Sequence, residues 1–324
     1  MKSIIATQYG GPEVMELRDV SIPEPNDSQI RVKVINAGVN YADIMQRLGS
    51  YIGGPHPPFG MGFEFSGVVD KVGINVTQWK QGDAVMGFCS AGYSEYVLAD
   101  AARVMPKPDS IDFRQAAAVP CQYLTAYFSL VTLSQLRKGQ TLLIQAAAGG
   151  LGTLLVQVAK NIGATVIGTC GSDEKRKYLN ELGCDHAINY SETDFRKEVM
   201  EITQNEGCDL IIESVGGKVF DDSLRCLKQR GRIVTLGFAS GKPKSIQVLY
   251  LLSHNMTISG FHLFGYSNDL AAMASAMRDF QLWMREGRLK IIVKHTFPLE
   301  RAAEAHRFIS DRKSMGKVVL DVIE

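Results

Sequence analysis

The chain of 324 residues carries no excess of either charge: 35 Lys and Arg stand against 34 Asp and Glu, a net charge of +1. Without a basic field it has little to draw it to nucleic acid or to an anionic membrane, so neither is expected as a partner. Cysteine is sparse and dispersed. The six residues Cys89, Cys121, Cys170, Cys184, Cys208 and Cys226 include no C-x-x-C pair, which argues against a disulfide framework and a zinc knuckle. The six histidines, His56, His186, His254, His262, His295 and His306, pair with no Cys or acid at ligand spacing, so no metal is expected. Long apolar runs are missing too. The most apolar stretch, 116–133, is interrupted by Pro120, Gln122 and Ser129 and reads as a buried segment rather than a membrane span. Near the start only Ile4-Ile5-Ala6 is apolar, too short for a secretion signal, and a cytoplasmic location is expected. No internal repeat or low-complexity tract is present.

What is there falls into two styles. Residues 1–110 read as β-rich. Ile30, Val32 and Val34 alternate with Arg31, Lys33 and Ile35, the pattern of a half-buried strand. Short strands are expected at 67–73 and 83–87, and one helix at 41–48 closed by Gly49. Seven prolines between Pro23 and Pro108 argue against long helices here. From about residue 123 strands alternate with helices of about ten residues, which specifies a parallel, doubly wound sheet with its ligand at the strands' C-terminal ends. Strands are expected at 141–145, 165–170, 187–190, 209–213 and 232–236, with helices at 153–162, 173–182, 194–203 and 218–227. Further helices are expected near 270–286 and 299–310, and a last strand at 317–322.

The densest signal is Ala147-Ala148-Gly149-Gly150-Leu151-Gly152, which follows an apolar strand and opens a helix. Small residues let the backbone approach a pyrophosphate, and a helix N-terminus offers amide hydrogens and about half a positive charge. The string alone also suits an ordinary tight turn; the strand and helix units after it favour a dinucleotide site. In an NAD site the second strand ends in an acid that binds the ribose hydroxyls. Here it ends Thr169-Cys170-Gly171-Ser172, followed by Lys175 and Arg176. A hydroxyl with a nearby cation suits a 2′-phosphate, which favours NADPH. Asp173 and Glu174 read as first-turn acids of a helix capped by Ser172, and Arg176 as a solvated face.

These residues, with Ala37-Gly38-Val39-Asn40-Tyr41-Ala42-Asp43, Arg47-Leu48-Gly49-Ser50-Tyr51, Gly62-Phe63-Glu64-Phe65-Ser66-Gly67, Leu124-Thr125-Ala126-Tyr127, Glu213-Ser214-Val215-Gly216-Gly217 and Gly316-Lys317-Val318-Val319-Leu320, span the chain. In their order and spacing the sequence resembles the zinc-independent medium-chain dehydrogenase/reductases of the quinone oxidoreductase, zeta-crystallin-like group. The resemblance implies an α/β protein: a GroES-like β-rich catalytic domain, 1–122 and 293–324, plus a Rossmann doubly wound parallel-sheet domain, 123–292, that binds NADPH. It also implies a homodimer, with 246–264 as a sheet-edge contact or else an internal strand. By motif position Asn40 would contact the cofactor near the nicotinamide. Thr125, Ala148, Gly149, Gly150, Leu151, Ser172, Lys175, Tyr190, Ser214 and Phe238 would line the rest of its path. Tyr190 is otherwise a strand-end core residue, and Lys317 either lies near the cofactor or is a plain surface lysine.

The departures from zinc-dependent relatives are specific. Those carry Cys at or beside the position of Asn40, and G-H-E where this chain reads Gly62-Phe63-Glu64; they also carry a four-cysteine loop where it has only Cys89. Without a Lewis acid, alcohol oxidation loses its means of stabilising an alkoxide. Hydride delivery to a small planar hydrophobic acceptor, a quinone, enone or enal, remains. Tyr51 is the candidate to polarise the acceptor carbonyl or supply a proton, and a loop tyrosine otherwise. Asp43 is expected to fix the Asn40 turn or to pair with Arg47. Tyr41, Tyr51, Phe59, Phe128, Phe261 and His262 are expected as apolar site walls. An enoyl-thioester reductase and a non-catalytic NADPH-binding structural protein are the alternatives.

Overall fold

The computed structural model describes residues 1–323 and divides into two compact units, 1–122 with 291–324 and 123–290. In the first unit a seven-stranded sheet runs in the order Val293–Pro298, Lys317–Asp321, Gln29–Val39, Glu64–Val72, Ala84–Phe88, Val104–Pro106, with Tyr96–Asp100 also paired to Gln29–Val39. All pairings are antiparallel except that of Val293–Pro298 with Lys317–Asp321. The alternation in 30–35 does what its period requires: Ile30, Val32 and Val34 are completely buried while Lys33 faces solvent. Each such side chain contributes roughly 1.5–3 kcal/mol on burial. A three-stranded sheet, Met15–Asp19, Lys2–Ala6 and Phe59–Gly60, packs Ile4, Ala6 and Phe59 into a second cluster with Val39, Tyr93 and Leu320.

Antiparallel register brings three strand ends to one place. Val39 pairs with Val318, and Ala37 with Phe65. Asn40, just past the end of Gln29–Val39, therefore lies beside Lys317 and Glu64, the first residues of the two flanking strands. Asn40 is also the N-cap of the helix Tyr41–Arg47. Gly38 is required in this corner: a Cβ there would collide with the Ala117 carbonyl oxygen and with Glu64 Oε1.

The second unit holds six parallel strands in the order His186–Asn189, Thr165–Cys170, Thr141–Ile144, Cys208–Glu213, Leu227–Thr235, Thr257–Gly260. Numbered along the chain this is 3-2-1-4-5-6, the doubly wound order whose reversal beside the first strand leaves a crevice for a ligand. The helix expected from 153 begins at Gly150, because the glycines themselves form its first turn, and it ends at Ile162 with Gly163 left-handed (φ 91°) as its cap. The apolar stretch 116–133 is the helix Pro120–Tyr127 followed by the π-helical turns Phe128–Leu133. The helix Val248–His254 and the strand Thr257–Gly260, read only as one apolar segment, are separate elements; the strand is an edge strand, not an internal one. The strand expected from 232 already begins at Leu227, and the helix expected to run to 227 ends at Leu224. Among the described residues no helix is long and apolar enough to cross a membrane.

Candidate active site

The second unit builds its site from backbone. After the strand Thr141–Ile144, Ala146 takes a left-handed conformation (φ 55°), and the turn is tied back by Ala147 N donating to Thr169 O at 2.9 Å. Gly149 then caps the helix without a side chain to accept from its first amides. Those amides are left for an anion, with the helix dipole behind them. Gly152 has no alternative, since a Cβ would strike the Ala147 carbonyl oxygen. Three buried side chains are linked beside the turn: Thr169 Oγ1 donates to Gln145 Oε1 at 2.6 Å, and Gln145 Nε2 donates to Ser223 Oγ at 3.0 Å. The uncovered amides and the helix dipole suit the negative charge of a pyrophosphate.

Of the other residues expected on the cofactor path, Ser172, Tyr190, Ser214 and Phe238 follow the C-terminal ends of neighbouring strands. Ser172 is the N-cap of the helix Asp173–Glu181 and accepts from Lys175 N at 3.3 Å. Lys175 is half-buried on the first turn. Tyr190 is no core residue: it is 40% exposed and lies over the Gly171 turn, its hydroxyl 2.7 Å from where a Gly171 Cβ would be. Arg176 is engaged elsewhere, 2.8 Å from Asp173. Ser214 and Phe238 come together through Ala239 N, which donates to Ser214 O at 2.9 Å. Thr125 is half-buried in the helix Pro120–Tyr127.

The first unit builds from side chains. Lys317, a candidate surface lysine by sequence, is 2% exposed. Its ammonium donates to Glu64 Oε1 at 2.6 Å and to Asn40 Oδ1 at 2.7 Å. Asn40 Nδ2 donates to Glu64 Oε1 at 2.8 Å, Gln122 Nε2 donates to Asn40 Oδ1 at 3.2 Å, and Glu64 Oε2 accepts from Cys121 N at 2.7 Å. Burying charge is tolerable only with this degree of pairing. Asp43 fixes the Asn40 turn, Oδ2 accepting from Asn40 N at 2.7 Å, and does not pair with Arg47, which donates to Gly10 O instead. Tyr51 packs on Phe63 with ring centroids 5.3 Å apart, and burial pushes its hydroxyl up to about 12, so it remains a donor. Two of the expected wall residues are core instead. Phe59 is buried with Ile4 and Met61, and Phe128 is completely buried against Tyr266, which also stacks on Phe261.

Glu64, Tyr93, His306 and Gln145 were not singled out by sequence as site residues. Two signals point to Glu64, its place in the Gly62-Phe63-Glu64 motif and a charge opening the apolar run from Phe65; the others depend on contacts between distant segments. The corner does not suit a zinc ion. Glu64 Oε1 is already held by a lysine cation and an amide, and among the described residues no group of three or more His, Cys, Asp or Glu is placed to hold a metal.

A parallel-sheet unit with a glycine cradle, joined to a GroES-like sheet with a polar corner, is the construction of a nucleotide-dependent dehydrogenase. Residues 26–109 match the alcohol dehydrogenase GroES-like domain, and 150–279 match the zinc-binding dehydrogenase family. The chain is 36% identical to quinone oxidoreductase of Pseudomonas aeruginosa over 98% of its length and 99% of that protein's. It is similar to the structure of Escherichia coli quinone oxidoreductase complexed with NADPH, at 30% identity and a TM-score of 0.95, covering 99% of this chain and 100% of that one. It is also similar to CurK enoyl reductase, at 27% identity and a TM-score of 0.89, covering 99% and 98%. The chain belongs to the quinone oxidoreductase family of medium-chain dehydrogenase/reductases and is an oxidoreductase of that class.

Proposed function

We propose that the protein catalyses zinc-independent, NADPH-dependent reduction of a quinone or an α,β-unsaturated carbonyl. The observation that carries this is the Asn40–Glu64–Lys317 corner: Asn40, at or beside whose position the resemblance puts a cysteine in zinc-dependent relatives, instead accepts from a buried lysine ammonium that Glu64 also holds. With no donor set for a Lewis acid among the described residues, the chemistry left is hydride delivery to an acceptor that is already electron-poor. The nicotinamide supplies that hydride when bound. The amides of Gly150 and Leu151, set by Ala148 and Gly149, hold the pyrophosphate. Ser172, Lys175 and Tyr190 take the 2′-phosphate end, and Thr125, Ser214 and Phe238 line the remainder. Asn40 and Lys317 orient the nicotinamide carboxamide. Tyr51, buttressed by Phe63 and protonated throughout the working range, donates to the acceptor's carbonyl oxygen.

The test is NADPH oxidation against an ortho-quinone, a para-quinone, a 2-alkenal and an enoyl-CoA, repeated with NADH and with a chelator. NADPH-selective, chelator-insensitive turnover of quinones or enals is the expected result. Turnover of the enoyl-CoA alone favours an enoyl-thioester reductase, the reading that the likeness to CurK supports. Tight binding of NADPH without turnover favours a structural role. Full activity of Tyr51→Phe on every acceptor removes the donor role from Tyr51. Self-association through the second unit is part of the same reading. The edge strand Thr257–Gly260 is open on one side, and Val248, Leu249 and Leu252 beside it are exposed; a mass measurement in solution decides it.

A further inference from the structure

Asp43 is completely buried, and beyond its bond to Asn40 it ends a hydrogen-bonded chain that crosses the first unit. Arg47 Nη1 lies 3.2 Å from His306 Nδ1, His306 Nε2 lies 3.2 Å from Tyr93 Oη, and Tyr93 Oη lies 2.8 Å from Asp43 Oδ2. A guanidinium can only donate. His306 Nδ1 must therefore accept, which leaves the ring's hydrogen on Nε2 to be donated to Tyr93, and the Tyr93 hydroxyl to be donated to Asp43. Every link points toward Asp43. Burial, with Arg47 alongside, pushes His306 down to about 3, so the ring stays neutral and the direction does not reverse. Oδ2 receives two donors, from Tyr93 and Asn40, while Oδ1 has no hydrogen-bond partner among the described residues. An added proton therefore resides on Oδ1.

We propose that Asp43, held by the Arg47–His306–Tyr93 chain, is a positioning residue whose ionisation sets the Asn40 turn and so the Asn40–Lys317–Glu64 corner for hydride transfer. This rests on the reading that Asn40 and Lys317 orient the nicotinamide. The physical cause is the strength of one bond. A carboxylate accepts the Asn40 amide about twice as strongly as a neutral acid does. Loss of the Asp43 charge loosens the turn that presents the Asn40 side chain to Lys317. The groups that face Asp43 are few. Tyr93 and Lys317 favour its charge and Glu64 opposes it. Tyr51, Cys89 and Cys121 feel that charge and are kept neutral by burial. The balance leaves Asp43 raised to about 7, chiefly by desolvation, so both states are populated near neutrality.

The experiment uses the intact protein with NADPH bound. Infrared difference spectra of wild type against Asp43→Asn report the protonated carboxyl. Its band is expected to titrate near pH 7, and kcat is expected to rise with pH through the same midpoint. Tyr93→Phe removes a bond that favours the charged form, so both midpoints move up together by roughly one pH unit. His306→Leu moves them the same way, and His306→Gln, which can accept from Arg47 and donate to Tyr93, restores them; these variants serve if Tyr93→Phe does not fold. A carboxyl band that ignores both Tyr93→Phe and His306→Leu, or one that shifts while kcat stays flat with pH, overturns the proposal. If no acceptor is reduced, the functional reading fails separately. The NADPH dissociation constant is then the second readout: tracking the infrared midpoint supports the proposal, and indifference to it overturns it.

Discussion

The two units make polar sites by opposite means. The glycine cradle of the second unit is a backbone site within one continuous stretch, 145–152, its amides exposed by residues too small to cover them. The corner of the first unit is a side-chain site whose members, Asn40, Glu64 and Lys317, are separated by up to 277 residues and are nearly sealed from solvent. A backbone site is cheap to hold because its groups belong to secondary structure in any case. A buried ionic site costs desolvation and must be balanced group by group. The first should therefore tolerate side-chain change and fail on steric intrusion, while the second should fail when any partner is lost.

The largest effect is expected from Lys317→Met. It strands the Glu64 carboxylate without its cation and should destabilise the protein by about 3–5 kcal/mol in urea unfolding. Lys317→Met combined with Glu64→Gln should recover most of that loss. A single variant as stable as wild type would show that the corner is not balanced in this way. Next comes Asp43. Its folded value of about 7 lies above the ordinary 3.8, so between those values the folded chain holds a proton that the unfolded chain releases. Stability due to this group is then greatest in acid and falls as pH rises toward 7, by about 4 kcal/mol over the whole window. Asp43→Asn lacks the titration, so its stability relative to wild type should improve from about pH 4 to about pH 8; a constant difference would refute the burial argument.

Smaller effects are expected where the second unit adds side chains to its backbone. Lys175→Ala should weaken NADPH binding by about 1.5–3 kcal/mol and leave NADH nearly untouched, measured by fluorescence titration of both. Equal losses would remove Lys175 from the 2′-phosphate. The smallest is Ser172→Ala, which removes the cap bond to Lys175 N and should cost about 1 kcal/mol in thermal unfolding.

How much was legible in the sequence follows the same division. The doubly wound sheet was readable because each strand, turn and helix is a local pattern: a period of two, a glycine, then a period of 3.6. The missed elements are those with weak local patterns. Thr257–Gly260 is four residues long and half-exposed at an edge, and Val248–His254 is a two-turn helix with no buried residue. Phe59 and Phe128 looked like site walls because composition records an aromatic ring without recording which way it points. Lys317 could be read as a surface lysine because lysine rarely is fully buried unless paired, and its partners are remote in the chain.

By itself, then, the sequence determined the two styles of architecture, the Gly149–Gly152 cradle and the capping of the helices after Asn40 and Ser172. These depend on neighbours within a few residues, where backbone conformation and side-chain size act directly. Only the tertiary structure decided that Lys317 meets Glu64 and Asn40, and that Arg47, His306, Tyr93 and Asp43 form one directed chain. Those contacts depend on the antiparallel register of strands from both ends of the chain, and register is selected by the burial of whole strand faces rather than by any residue at the site.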